Sequence, residues 1–101
     1  MSTERTILIM DARDNVAVAL RALAVGEVIQ AEGRSIRVRE RIPTGHKLAL
    51  GPIAEGEYVI KYGEQVGRMK TGVAEGQHVH VHNVHDITEE RCLEERRKLG
   101  E

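Results

Sequence analysis

The chain has 101 residues, 15 of them basic and 16 acidic, and its 41% apolar content includes two Tyr but no Phe or Trp. That length suits one domain with a modest core of Val, Ile, Leu and Ala, formed without disulfides. A formal net charge of −1 supplies no field to attract nucleic acid or an anionic membrane. The N-terminal apolar run Ile7-Leu8-Ile9-Met10 is too short for a signal peptide or a span, and the lone Cys92 has no internal partner, so a cytoplasmic protein is expected.

Residues 6–10, short and rich in β-branched side chains, read as a first strand. Asp14 or Asn15 can cap a short helix over 16–23, whose Val16, Leu20 and Leu23 share one face. From Leu23 a unit recurs: apolar, Ala or Pro, any residue, Gly, then a strand. Its copies begin at Leu23, Ile42, Ile53 and Val73, with glycines at Gly26, Gly45, Gly56 and Gly76. Each glycine is expected to close a turn at positive φ. Four such turns leave room only for short strands, which excludes a βαβ layout and predicts a mostly antiparallel β domain.

Between copies, 35–41 alternates Ile36 and Val38 with arginines, a half-exposed strand, and Ala31-Glu32-Gly33-Arg34 suits a hairpin tip. Tyr58 to Tyr62 alternates again, and Gly63, Gly67 and Gly72 predict repeated bends. After His85 the composition turns charged. Asp86-Ile87-Thr88-Glu89 has capping-box spacing, so the division is a β domain over 1–85 and a helical tail over 86–101 that would fray by itself. Cys92, in that tail, reads as an incidental thiol.

Four of the five histidines lie in 78–85. On an extended strand His78, His80 and His82 project from one face, and an adjacent pair can lean onto one metal at about 2.0–2.1 Å per nitrogen; placing all three on one ion requires a bend. The alternatives are histidines that contact substrate or decorate a solvated face. His46-Lys47 after Gly45 is either an exposed turn or a corner where an imidazole, an ammonium and glycine amides meet a carboxylate. Lys61-Tyr62-Gly63 offers a cation and a phenol beside another turn. There is no Ser-His-Asp, phosphate-loop or zinc-finger pattern.

The blocks Asp14-Asn15-Val16-Ala17-Val18-Ala19-Leu20, Gly45-His46-Lys47-Leu48-Ala49-Leu50, Ile53-Ala54-Glu55-Gly56, Val59-Ile60-Lys61-Tyr62-Gly63, Gly67 and His78-Val79-His80-Val81-His82-Asn83 resemble the N-terminal domain of the altronate dehydratase family. That family also includes galactarate dehydratase and a two-subunit sulfolactate sulfo-lyase, and the likeness covers about residues 6–84. It implies a SAF-type β-clip, and a lyase that removes water or sulfite from a small hydroxy acid with help from a divalent metal such as iron or manganese. It also implies a large catalytic subunit, without which this chain is inactive. On the matching blocks His46, His80 and His82 are expected to be catalytic, and Lys47, Lys61, Tyr62 and Asn83 to bind substrate. His78, His80 and His82 are the expected metal ligands. Galactarate-type members depart from the histidine run, so it is not an obligatory metal site for the whole family. A stand-alone module that binds a carbohydrate acid is the other class of function, and exposed strand edges leave self-association open.

Overall fold

A computed structural model describes residues 6–31 and 33–87. Among them the chain forms nine short antiparallel strands and no helix: β1 Ile7–Leu8, β2 Val16–Ala19, β3 Val28–Ala31, β4 Arg34–Arg37, β5 Lys47–Ala49, β6 Tyr58–Lys61, β7 Glu64–Met69, β8 His78–Val79 and β9 Val84–Asp86. A four-stranded sheet runs β1-β2-β5-β8, a hairpin pairs β3 with β4, and a three-stranded sheet runs β6-β7-β9. Among the described residues, no helix is long and apolar enough to cross a membrane.

The four-stranded sheet lies between two apolar clusters, because side chains on its central strands alternate between them. Ala17, Ala19, Leu48 and Leu50 join Leu23, Ile29, Ile36, Val38 and Ile42. Val16, Ala49 and Val79 join Ile53, Val59 and Met69. Leu48 and Ile42 are wholly buried, worth about 1.5–3 kcal/mol each in transfer free energy. With both faces covered, small aliphatic side chains are what the space admits.

All four glycine corners form as the repeat predicts. Gly26, Gly45, Gly56 and Gly76 have φ between 83° and 92°, as a type II turn requires of its third residue. The turn's last amide donates back across it in every copy, from Glu27, His46, Glu57 and Gln77. The apolar leads pair two by two, Leu23 with Ile42 and Ile53 with Val73. Gly76 is also a close approach: a Cβ there would sit 1.9 Å from the Arg37 carbonyl oxygen. The predicted hairpin tip forms as well, with Ala31 paired to Arg34.

Three expectations need correction. Residues 16–23 are not a helix: 16–19 form β2, held between β1 and β5, and Val16, Ala17 and Ala19 are buried on both faces. The spacing of Val16, Leu20 and Leu23 mimicked a helical stripe, but β-branched Val16 and Val18 suit a central strand. The proposed cap residues tie strands together instead. Asn15 donates to the Tyr58 carbonyl (2.9 Å) and accepts from the Ile60 amide (2.7 Å), while Asp14 accepts from Gly63 N–H (2.8 Å). Second, the histidine run is not one extended strand. β8 ends at Val79, and His80 to Asn83 form a tight turn in which Asn83 N–H donates to the His80 carbonyl at 3.0 Å. Third, Gly67 marks no turn between strands: it lies within β7, next to a register shift against β6 that skips Val66, and a Cβ there would overlap Val84 of β9. The helical tail expected over 86–101 falls, from residue 88 on, outside the described residues.

Candidate functional site

β5 and β8 pair with Lys47 opposite Val79 and Leu48 opposite His78. Extending that register by one pair sets His46, the last residue of the second corner, opposite His80. The two rings stack with centroids 3.7 Å apart, the proximity a directly opposed pair provides. His78, diagonal to His46, brings Nε2 to 2.8 Å from His46 Nδ1. His46, His78 and His80 can each offer one nitrogen, all lying within 4.8 Å of one another.

Among the described residues β8 is the outer strand of its sheet, and the outward amides of His78 and His80 have no strand partner there. Two side chains supply one. Glu40 Oε1 accepts from His78 N–H at 2.7 Å, and Asn83 Oδ1 accepts from His80 N–H at 2.9 Å. The Asn83 amide nitrogen also donates to the His78 carbonyl at 2.8 Å. Expected on substrate, Asn83 is instead 6% exposed with both polar atoms committed to the backbone of the turn.

The turn folds His82 back to a ring distance of 4.9 Å from His78. His82 remains exposed and outside the three-nitrogen cluster. The bend that a three-histidine site demanded therefore exists, but His46 occupies the third place. The sequence pattern sets His46 in a separate corner, and nothing in it singles out Glu40.

His80 also lines a groove of about 380 Å³ together with Lys47, Lys61, Tyr62, His85, Asp86 and four valines, of which Val59 is buried and Val66 and Val81 are exposed. Lys47, Lys61, Tyr62 and His80, chosen from separate blocks of sequence, thus share one cavity. Lys61 Nζ lies 4.9 Å from the Tyr62 ring centre. Tyr62 and Gly63 form the two-residue tip between Lys61 and Glu64, and both have positive φ (57° and 71°). Asn-Gly is the preferred pair at such a tip, and a tyrosine held there is an outlier that points to a use for its side chain.

Electrostatics keep the site poised. Burial, reinforced by the charge of Lys61, pushes the Lys47 ammonium below its ordinary pKa. Desolvation likewise lowers His78, aided by His82 and His46 against the opposing pull of Glu40. It also lowers His80, aided by His46 and Lys47. Neutral imidazoles at neutral pH are what metal ligation requires.

The residues fit a divalent metal. His80 Nδ1 is buried with no hydrogen-bond partner among the described residues, an orphan that a cation would satisfy. Two nitrogens on one ion at about 2.0–2.1 Å each stand roughly 3 Å apart. The His46–His78 separation of 2.8 Å is close to that.

Residues 5–87 match the family model described as the altronate/galactarate dehydratase SAF domain. An altronate dehydratase of Bacillus subtilis (strain 168) is 44% identical over 71 residues, and one of Escherichia coli (strain K12) is 46% identical over 72. The matches take in 70% and 71% of this chain but only 14% of each dehydratase. The (2R)-sulfolactate sulfo-lyase subunit alpha of Paracoccus pantotrophus is 40% identical over 58 residues, covering 55% of this chain and 87% of that subunit.

Proposed function

Because the chain belongs to the altronate/galactarate dehydratase SAF-domain family, we propose that it is the small subunit of a two-chain carbon–oxygen lyase acting on a sugar acid. In this reading it forms one wall of an active site that a large catalytic subunit completes. The observation that carries the proposal is the convergence of His46, His78 and His80, the last of which also lines a groove containing Lys47 and Lys61. A second reading, the small subunit of a sulfolactate sulfo-lyase, is favoured by the match that spans 87% of one such alpha subunit.

His46, His78 and His80 would hold the divalent metal, iron or manganese, which when bound polarises the oxygen that leaves. Lys47 and Lys61 bind the substrate carboxylate in this partly apolar groove, where the desolvation of Lys47 makes a charge-assisted bond stronger than in water. Tyr62 fixes the orientation of that group from the groove's lip. Elimination next to a carboxylate removes a proton from one carbon and releases hydroxide from its neighbour. His82, exposed beside His78, exchanges a proton with the reacting group as a general acid or base, a role worth about 10²–10⁴ in rate. Glu40 and Asn83 position the metal-binding edge without touching substrate.

The test is reconstitution. The purified chain, a large dehydratase-type partner and Mn²⁺ or Fe²⁺ are assayed on altronate and on sulfolactate, each chain also alone. The expected result is turnover only when both chains are present, with one substrate preferred. Turnover by either chain alone, after contamination is excluded, overturns the proposal.

A further inference from the structure

The four corners differ in one respect that bears on His46. In three of them the turn's last side chain reaches back to cap the amide of its first residue. Glu27 accepts from Ala24 N–H at 2.6 Å, Glu57 from Ala54 N–H at 2.9 Å and Gln77 from Ala74 N–H at 2.5 Å. Otherwise these amides would face solvent or go without a partner. In the second corner the first residue is Pro43, which has no amide hydrogen to cap. The backbone is otherwise the same, with His46 N–H donating to the Pro43 carbonyl at 3.1 Å and Gly45 at the φ of 83° also found at Gly56. The side chain at the fourth place is therefore released from a structural duty, and at this corner alone it is an imidazole turned toward His78 and His80.

We infer that Pro43 is a positioning residue for the histidine cluster: by deleting the donor it frees the corner's last side chain, and so creates the place His46 fills. The inference rests on the metal-site reading for its consequence, but its structural half does not. An amide restored at position 43 would compete for the His46 ring, because imidazole Nε2 stands as many bonds from the backbone as the Glu Oε atoms that cap the first and third corners. One ordinary hydrogen bond commands about a three- to tenfold shift in such a competition.

Two measurements on the full chain test this. The first is a thermal melt cycle at the third corner, remote from the histidines. Ile53 there is already paired as Ile42 is, which suits the residue before a proline. Glu57→Ala, which leaves no acceptor, should lower the melting temperature by about 4–8 °C, the equivalent of one hydrogen bond in a domain this size. The double variant Ala54→Pro/Glu57→Ala should recover most of that loss. Equal losses in the single and double variants overturn the rule that proline makes the cap dispensable. The second is Co²⁺ titration followed by visible absorption. Pro43→Ala should bind about three- to tenfold more weakly than wild type, and Pro43→Ala/His46→Glu should melt at or above the wild-type temperature while losing the site. Wild-type affinity in Pro43→Ala overturns the positioning role. If wild type itself binds no Co²⁺, the metal reading fails, and the melt cycle still decides the proline rule.

Discussion

Replacing Asn83 by Ala separates a substrate-binding asparagine from one that holds a turn. The side chain is 6% exposed, accepts from His80 N–H at 2.9 Å and donates to the His78 carbonyl at 2.8 Å. Truncation removes both bonds and strands two backbone groups at a sheet edge. At about 1–2 kcal/mol for each stranded group, the loss is about 2–4 kcal/mol. In a domain of this size each kcal/mol lowers the melting temperature by about 4–8 °C, so a drop of at least about 8 °C is expected. Asn83→Asp keeps the acceptor for His80 N–H but sets a carboxylate against the His78 carbonyl, so it should recover only part of the loss. The assay is a thermal melt of the isolated chain, followed by circular dichroism. A melting temperature for Asn83→Ala within about 2 °C of wild type would refute the reasoning, since that is how an exposed ligand-contacting side chain behaves.

Tyr62→Asn places the residue preferred at this positive-φ tip, so stability should hold or rise by up to about 1 kcal/mol despite the lost contact with Lys61, while KM for the acid substrate rises in the assembled enzyme. A destabilised variant with unchanged KM would contradict the view that function keeps the tyrosine there. Gly76→Ala should be far more damaging than Gly45→Ala in chemical denaturation. Both glycines have φ near 84°, a cost of roughly 1–2 kcal/mol for alanine, but only at Gly76 would the new Cβ collide with a carbonyl, 1.9 Å away, whereas Gly45 has nothing within 4 Å. Equal losses would show that the collision is relieved by backbone movement.

The repeat made the β architecture legible, because Gly at a fixed offset from an apolar residue specifies a turn by local sterics alone. What misled was Val16 to Leu23, where spacing imitated a helix and only the flanking strands, distant in sequence, decide otherwise. The groove was foreshadowed by Lys47, Lys61 and Tyr62, each beside a glycine turn, yet their meeting is tertiary. The histidine cluster was half legible. His78 and His80 stood out by density, but the turn after Val79 depends on Asn83, whose role as a clamp has no signature in its neighbours. The membership of His46 follows from a register between strands some thirty residues apart in the chain. One local signal for it was present, since the second repeat reads Pro-Thr-Gly-His where the others read Ala, any residue, Gly, then Glu or Gln.

The central claim is that His46, His78 and His80 form one working site in an enzyme completed by a second chain. It is tested most directly by titrating wild-type and His46→Gln chains into the large subunit and measuring kcat at saturation. Wild type should restore turnover, and His46→Gln should saturate the partner at the same concentration but with kcat lower by about 100-fold or more, as expected when a positioned catalytic or ligand group is lost. A wild-type kcat with His46→Gln would contradict the account.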